Sequence, residues 1–239
     1  MKVLPPSVAL RTTTRLEDWA LPLLPTEADA VLGAVPRRAV EFAAGRALAR
    51  AALADLGAPV GPIGVGVRRE PLWPQGIVGS ITHCEGFAAA VTARRQHVEA
   101  VGIDAEPARR VLPTALIRNT SSAAERASAG ALGPFGPLVV FCAKEATFKA
   151  WYPLTGRWLG FQDVVIGLMP SDRRFTVRVL REDPIGLSGA VGHWQVKEEF
   201  LVTTLVLLAD RCGTSGESRA GLGQPSWASR PSPEHVRRG

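Results

Sequence analysis

The chain has 239 residues, of which 46% are apolar and 21% are charged, a composition that excludes a disordered protein and suffices for one large or two small domains. No run of about 18 apolar residues is present, so we expect no membrane span. The net charge of +6 suggests a nucleic-acid partner, but half of it comes from the segment after Asp210, and the modestly basic remainder suits an anionic cofactor and acidic protein partners at least as well.

The first predicted elements are two helices. Residues 26–35 begin with Thr26 and acidic residues, which are typical of a helix start. Residues 36–56 form a longer helix that Pro36 opens and Gly57 ends. The long helix carries four arginines, for which a solvated face is the simplest interpretation: Arg37, Arg38, Arg46 and Arg50.

Strands follow the long helix. A short strand at 63–67 leads through the loop 68–74 to a strand at 78–83. Strands at 87–92 and 98–103 are predicted to form an antiparallel pair. Alternation in the strand 78–83 places two pairs of side chains on opposite faces, Ser80 with Thr82 and Ile81 with His83.

Two carboxylates end the strand that begins at Val98. Asp104 and Glu106 are two residues apart, so their side chains leave a strand on the same face and can close on one divalent cation. Pro107 stops the strand directly afterwards. The alternative is a strand that simply exits into solvent with two charges at its end.

Residues 141–151 are predicted to form a second long helix. Phe141, Phe148 and Trp151 share one face of it, and Glu145 lies beside Lys149 at a spacing of four. A surface ion pair is the plain interpretation of that spacing. The use of lysine argues against a plain surface ion pair. Of the 28 basic residues only four are lysines, namely Lys2, Lys144, Lys149 and Lys197. Two of these four, Lys144 and Lys149, lie in this helix. Lysine is a compact charge with a tunable pKa, which hints at chemistry.

The remaining segments predict a second sheet and a tail. Residues 108–137 are irregular, with one short helix expected at 112–117. Residues 211–239 are rich in Gly, Ser, Pro and Arg and are expected to be disordered. The three cysteines are unclustered and the N-terminus lacks an apolar run of signal-peptide length, so we expect a cytoplasmic protein without disulfides or zinc. The later strands are predicted at 164–168, 175–180, 193–196 and 200–208.

These segments together resemble the 4′-phosphopantetheinyl transferases, in particular the monomeric carrier-protein-activating class of the enterobactin synthase component D type. The resemblance spans roughly residues 37–209. It is carried by motifs in the family's order: Arg-x-x-Glu-Phe-x-x-x-Arg at 38–46, Ser-x-Thr-His at 80–83, Gly-Ile-Asp-x-Glu at 102–106, Lys-Glu-x-x-x-Lys at 144–149 and Pro-Leu-Thr-Gly-x-Trp-Leu-x-Phe at 153–161.

The resemblance implies an α+β fold in which two similar α/β halves form a pseudo-two-fold monomer. Each half would be a long helix on a small, mainly antiparallel sheet, with residues 1–107 as the N-terminal half and 108–210 as the C-terminal half. The implied reaction moves 4′-phosphopantetheine from coenzyme A to a serine of an apo acyl or peptidyl carrier protein and releases 3′,5′-adenosine bisphosphate. Such carrier proteins serve polyketide, nonribosomal peptide or fatty acid synthesis.

The resemblance also assigns roles to individual residues. Mg²⁺, or Mn²⁺ in its place, would be held by Asp104, Glu106 and Glu145. Catalysis would rest on Glu145, Lys149 and Asp104, with either Glu145 or a metal-bound water as the base. Where relatives carry a loop lysine this chain has Val65, and either Arg69 or Arg68 is expected to replace it. Coenzyme A would contact Arg38, Arg46, Arg69, Thr82, His83, Lys144 and Lys149.

Two other function classes remain open from the residues alone. A Mg²⁺-dependent phosphohydrolase would use the same carboxylates without needing Arg38 and Arg46. A non-catalytic anion- or nucleic-acid-binding module would use the basic residues without needing Asp104 and Glu106.

Overall fold

A computed structural model describes residues 4–209, which form a mixed α/β fold with antiparallel sheets. One sheet has three strands in the order β1-β5-β4, a second has five in the order β6-β10-β9-β8-β7, and a third pairs β2 with β3. The elements are β1 Val8–Thr13, α1 Leu16–Trp19, α2 Pro25–Ala28, α3 Pro36–Asp55, β2 Gly64–Val65, β3 Pro71–Leu72, β4 Ile77–Cys84, β5 Phe87–Arg94, β6 Val98–Pro107, α4 Thr114–Thr120, α5 Ala123–Ala129, α6 Gly136–Thr155, β7 Val164–Met169, β8 Arg174–Val179, β9 Val191–Lys197 and β10 Phe200–Leu208.

The strand that carries Asp104 pairs differently from the prediction. β6 is hydrogen-bonded to β10, with Asp104 opposite Thr203 in the register, whereas β5 pairs with β1 and β4. The predicted antiparallel pair of 87–92 with 98–103 is therefore wrong. Residues 1–107, expected as the first half, also contribute one strand to the second sheet.

The order of elements occurs twice along the chain. A strand, short helices, a long helix and four strands run from β1 to β5, and the same order runs from β6 to β10. The first repeat begins with β1, a strand that the sequence did not predict. The second repeat contains α5, a helix that the sequence also did not predict. The expected disordered tail at 211–239 lies outside the described residues.

Each long helix packs on one sheet. α3 covers the three-stranded sheet through a core that includes Leu48, Leu53 and Ile63. α6 covers the five-stranded sheet through a core that includes Trp151 and Leu201. A third core, with Phe87, Val91, Ile103 and Val202 among its members, lies between the two sheets.

Gly102 brings α6 unusually close to β6. A Cβ atom at this position would lie 1.9 Å from the carbonyl oxygen of Ala146 on α6, so a larger residue would push helix and strand apart. Asp104 follows two residues later on the same face of the strand. The glycine therefore sets the distance between the strand's carboxylates and the side chains of α6.

The edge strands β4 and β6 of the two sheets lie next to each other. The backbone N–H of Ile103 donates to Oγ of Ser80 at 3.2 Å, and the hydroxyl of Thr82 donates to Asp104. Side chains of both sheets thus meet at one place under α6.

The stretch Ala123–Thr155 is long and apolar enough to cross a membrane by length and mean hydropathy alone. A core helix passes the same test, and this stretch is interrupted at Gly133, where φ is +60°. Within it, α6 packs Val139, Ala143 and Trp151 into the second core. We therefore interpret α6 as a core helix.

Candidate active site

A lysine, an aspartate and a threonine from three elements meet where the two sheets adjoin. Nζ of Lys149 on α6 donates to Oδ1 of Asp104 on β6 at 2.6 Å and to Oγ1 of Thr82 on β4 at 3.1 Å. The Thr82 hydroxyl lies 3.2 Å from the same oxygen of Asp104. All three residues were predicted from the sequence as site residues, and the structure brings them together.

Local structure explains why these side chains converge. The predicted alternation of β4 is confirmed, because Ser80 and Thr82 face β6 whereas His83 faces Arg38 on α3. Asp104 is only 6% exposed, and its Oδ2 atom is buried without a hydrogen-bond partner among the described residues. A buried carboxylate oxygen without a partner is costly, which points to a cationic or hydrogen-bonding ligand at this position.

Glu145 and Glu106 add two carboxylates beside Asp104. Burial raises the pKa of Glu145, and the negative charges of Asp104 and Glu106 raise it further, while Lys149 opposes the shift. Glu145 thus lies within electrostatic reach of both other carboxylates. Glu106 is engaged by the guanidinium of Arg110.

The carboxylates fit a hard divalent cation chemically. The three carboxylates supply oxygen ligands, which Mg²⁺ prefers, and one of these oxygens is the Oδ2 of Asp104 that lacks a partner among the described residues. In their present positions, no group of three acidic, histidine or cysteine side chains in the described part of the chain is arranged to hold a metal. The reason is visible at two of them, since Glu106 faces Arg110 and Oδ1 of Asp104 faces Lys149.

A second cluster lies at the adjoining edge of α3. An Nη nitrogen of Arg38 lies 2.7 Å from Nε2 of His83, and Nδ1 of His83 lies 3.3 Å from a carboxylate oxygen of Glu41. Burial and the charge of Arg38 lower the pKa of His83 to about 4. The imidazole is therefore neutral; its Nε2 can accept from Arg38, while Nδ1 faces the carboxylate of Glu41.

Arg46 lies deeper on the same helix. It is 4% exposed, its Nε donates to the carbonyl oxygen of Ile63 at 3.0 Å, and its guanidinium stacks over Phe42. Burial lowers its pKa to about 10. Within residues 4–209 its two Nη nitrogens make no hydrogen bond, so they remain able to bind an anion.

Lys144 does not join Lys149 beside Asp104. Nζ of Lys144 donates to Glu125 on α5 at 3.0 Å and to the carbonyl oxygen of Phe161 at 2.7 Å. The residue is 3% exposed, and burial lowers its pKa although Glu125 opposes the shift. The helix turns its ammonium into the core, whereas Lys149, five positions later, faces β4 and β6.

The loop arginines occupy different surroundings. The guanidinium of Arg68 lies 5.5 Å from the ring of Trp158, whereas the exposed Arg69 has a left-handed backbone with φ of +68°. Trp158 is 57% exposed and packs against Phe148 on α6. These two aromatic side chains line a small pocket of about 90 Å³ that Glu145 also borders.

A larger cleft opens on the other side of Lys149. It has a volume of about 460 Å³ and runs between the start of β4, the start of β6 and the end of α6. Apolar side chains and three basic groups surround it: Leu72, Trp73, Leu154, Ile185, Arg95, Lys149 and Arg157. Lys149 therefore borders this cleft on one side and Asp104 on the other.

Sequence reasoning missed several residues of the site. Glu41 stands three positions after Arg38, a helical spacing that could have revealed it. Ser80 shares the face of Thr82 but carries no charge to draw notice. Arg110 and Glu125 give no signal of their role in the sequence, because only the folded chain shows which carboxylate or lysine each one contacts.

Two regions of the chain match known protein families. Residues 26–93 match a family model described as the 4′-phosphopantetheinyl transferase N-terminal domain, and residues 100–204 match one described as the 4′-phosphopantetheinyl transferase superfamily. Asp104, Glu106, Glu145 and Lys149 all lie in the second match.

Named relatives cover most of the chain. The 4′-phosphopantetheinyl transferase Svp of Streptomyces mobaraensis is 42% identical over 86% of this chain and 87% of its own length. The 4′-phosphopantetheinyl transferase PptT of Mycobacterium tuberculosis is 44% identical over 77% of this chain and 86% of its own. Enterobactin synthase component D of Escherichia coli K12 is 33% identical over 70% of this chain and 76% of its own. The chain therefore belongs to the family of 4′-phosphopantetheinyl transferases.

Proposed function

We propose that the protein transfers 4′-phosphopantetheine from coenzyme A to a serine of apo acyl or peptidyl carrier proteins, with release of 3′,5′-adenosine bisphosphate. The observation that carries this proposal is the convergence of Lys149, Thr82 and Asp104 beside Glu145, in a chain that belongs to this family. Family membership favours transfer over the phosphohydrolase and nucleic-acid-binding alternatives.

Coenzyme A would bind along the edge of α3 and β4. Arg38, Arg46 and the neutral imidazole of His83 supply donors for its phosphates, and the exposed Arg69 lies on the adjacent loop. Lys149 and Thr82 would contact the diphosphate. Lys144 is left out of this set because its ammonium is already bound in the core.

Mg²⁺, or Mn²⁺ in its place, would be held by Asp104, Glu106 and Glu145. When bound, the ion supplies Lewis-acid stabilisation of charge on the diphosphate. The unpartnered Oδ2 of Asp104 and the raised pKa of Glu145 support a cation at this point.

The protein's own groups would do the rest of the chemistry. The serine oxygen of the carrier protein attacks the phosphorus next to pantetheine, and the bond from that phosphorus to the bridging oxygen of the adenosine bisphosphate breaks. Glu145 would accept the serine proton as the general base. Lys149 neutralises charge on the leaving diphosphate oxygen.

The pantetheine arm would follow the aromatic side of α6. Trp158 and Phe148 border the pocket that Glu145 shares, and Trp158 presents more than half of its surface to solvent. A ring exposed at this point can cover the arm without being part of the core.

We also propose that the chain works as a cytoplasmic monomer of two pseudo-two-fold-related halves. The repeated order of elements supports this division. Because β6 joins the second sheet, the boundary that fits best lies between β5 and β6, rather than at residue 107.

The test is the mass of an apo carrier protein after incubation with the enzyme, coenzyme A and Mg²⁺. A gain of one phosphopantetheine group is expected. The Asp104→Ala variant and a carrier protein without its acceptor serine are the controls and should show no gain. An unchanged mass with the wild-type enzyme across acyl and peptidyl carrier proteins would contradict the proposal.

A further inference from the structure

Arg110 contacts one of the three carboxylates directly. It follows the turn at Pro107, where its backbone N–H donates to the Pro107 carbonyl oxygen at 2.9 Å, and its guanidinium binds the carboxylate of Glu106. The guanidinium also lies 5.5 Å from the ring of Phe141, four positions before Glu145 on α6. Two elements therefore hold Arg110 against Glu106.

The site thus contains two protein cations on two carboxylates. Lys149 binds Asp104 from one side, and Arg110 binds Glu106 from the other. A divalent cation that uses both carboxylates must compete with these charges, because like charges a few ångströms apart repel. Lys149 is tied to the centre by Thr82 as well, whereas Arg110 stands at the rim with its side chain 38% exposed.

We propose that Arg110 is an internal counter-ion that sets the metal affinity of the site by competing for Glu106. Without metal, Arg110 neutralises the carboxylate of Glu106. When a metal binds, Glu106 exchanges Arg110 for the metal ion. The guanidinium of Arg110 is then free at the rim of the site, where it can bind an anion. The inference rests on the proposed function, because it presumes that Glu106 is a metal ligand.

The test is a titration of the purified enzyme with Mn²⁺ followed by electron paramagnetic resonance, with and without saturating coenzyme A. Arg110→Ala should bind Mn²⁺ about 10-fold more tightly than wild type, because one positive charge and one competitor are removed. Arg110→Lys keeps the charge but not the planar fork, and should show a smaller gain.

Arg109→Ala is the matched control. Arg109 is exposed and forms no ion pair among the described residues. Its replacement by alanine changes the net charge of the protein by the same amount as Arg110→Ala. Its Mn²⁺ affinity should stay within about twofold of wild type, since solvent and salt screen an exposed charge. Circular dichroism and the melting temperature would show that each variant is folded.

The outcomes separate this inference from the proposed function. Weaker Mn²⁺ binding in Arg110→Ala, or an equal gain in Arg109→Ala, would overturn the role of Arg110. If Asp104→Asn binds Mn²⁺ as tightly as wild type, the proposed metal site fails and the inference falls with it. The carrier-protein mass assay reports transfer independently of both results.

Discussion

Arg46 on α3 and Lys144 on α6 occupy equivalent places in the two long helices. Each is buried, and each donates to a backbone carbonyl oxygen 17 residues later, Arg46 to Ile63 and Lys144 to Phe161. The difference lies in the carboxylates. Glu125 binds Lys144, whereas Glu27, a fully buried glutamate of the first half, is bound by Arg50. Only the first half therefore leaves its buried cation available for a ligand.

This relationship predicts opposite effects of two similar changes. Arg46→Met should weaken coenzyme A binding by at least about 10-fold, because phosphate contacts to arginine are strong. Lys144→Met should leave that affinity within about twofold but lower the melting temperature, because Glu125 stays buried without its cation. Calorimetry and thermal melts measure both effects.

Replacing the ion pair as a unit provides the control. The double variant Glu125→Leu/Lys144→Met removes both buried charges and should recover part of the lost stability. Equal losses of coenzyme A affinity in Arg46→Met and Lys144→Met would mean that the two buried cations share one role after all.

Lys149→Ala should lower kcat by about 10², or roughly 3 kcal/mol of transition-state stabilisation. The metal-free variant should also melt earlier, because the buried Asp104 loses its cation, and Mg²⁺ should restore part of that loss. Lys197→Ala is the control and should leave kcat unchanged. The ammonium of Lys197 donates to the hydroxyl of Thr12 and takes no part in the proposed site. A wild-type rate in Lys149→Ala would reduce the contact with Asp104 to a structural one.

The raised pKa of Glu145 predicts a specific dependence on pH. The titration midpoint of its carboxyl group in the metal-free enzyme should lie above the ordinary value of 4.5, measured by ¹³C nuclear magnetic resonance. Asp104→Asn should lower that midpoint, because one repelling charge disappears. A midpoint at or below 4.5 would rule out the environment that the structure gives Glu145.

His83 predicts a loss of stability in acid. Its pKa is lowered from 6.5 to about 4 in the folded protein, so between these pH values the unfolded chain takes up a proton that the folded chain does not. The free energy of unfolding should therefore fall by at most about 3 kcal/mol from pH 6.5 to pH 4, and this contribution should not change further below pH 4. Urea unfolding at several pH values should show a smaller fall for His83→Asn. An identical fall in both proteins would show that His83 titrates normally.

Gly102→Ala tests the packing under the active site. Its new Cβ would meet the Ala146 carbonyl oxygen, and separating helix from strand should cost about 1–3 kcal/mol and reduce transfer. Gly130→Ala is the matched control, since nothing lies within 4 Å of its Cβ position. Urea denaturation measures both. Equal stabilities of the two variants would show that α6 can shift without cost.

The sequence predicted the long helices from the Pro and Gly signals at the ends of α3 and the aromatic spacing in α6, and it predicted most strands from short apolar runs between turn residues. It failed on the partner of β6, since alternation determines the faces of a strand but not its neighbour. It also named Asp104, Thr82 and Lys149, through spacing and family motifs. Arg110 and the orientation of Lys144 depend on contacts with Phe141 and Glu125, and local patterns carry no information about such contacts.

The pairing of β6 with β10 also determines when the site can form during synthesis. Asp104 lies opposite Thr203, about one hundred residues later, so the strand that carries it has no sheet partner until almost all of the described chain has left the ribosome. Contacts between such distant residues slow folding, because a long loop must close before they are made. The first half can assemble α3 and its sheet early, but the carboxylates of β6 are fixed only when the last strand docks.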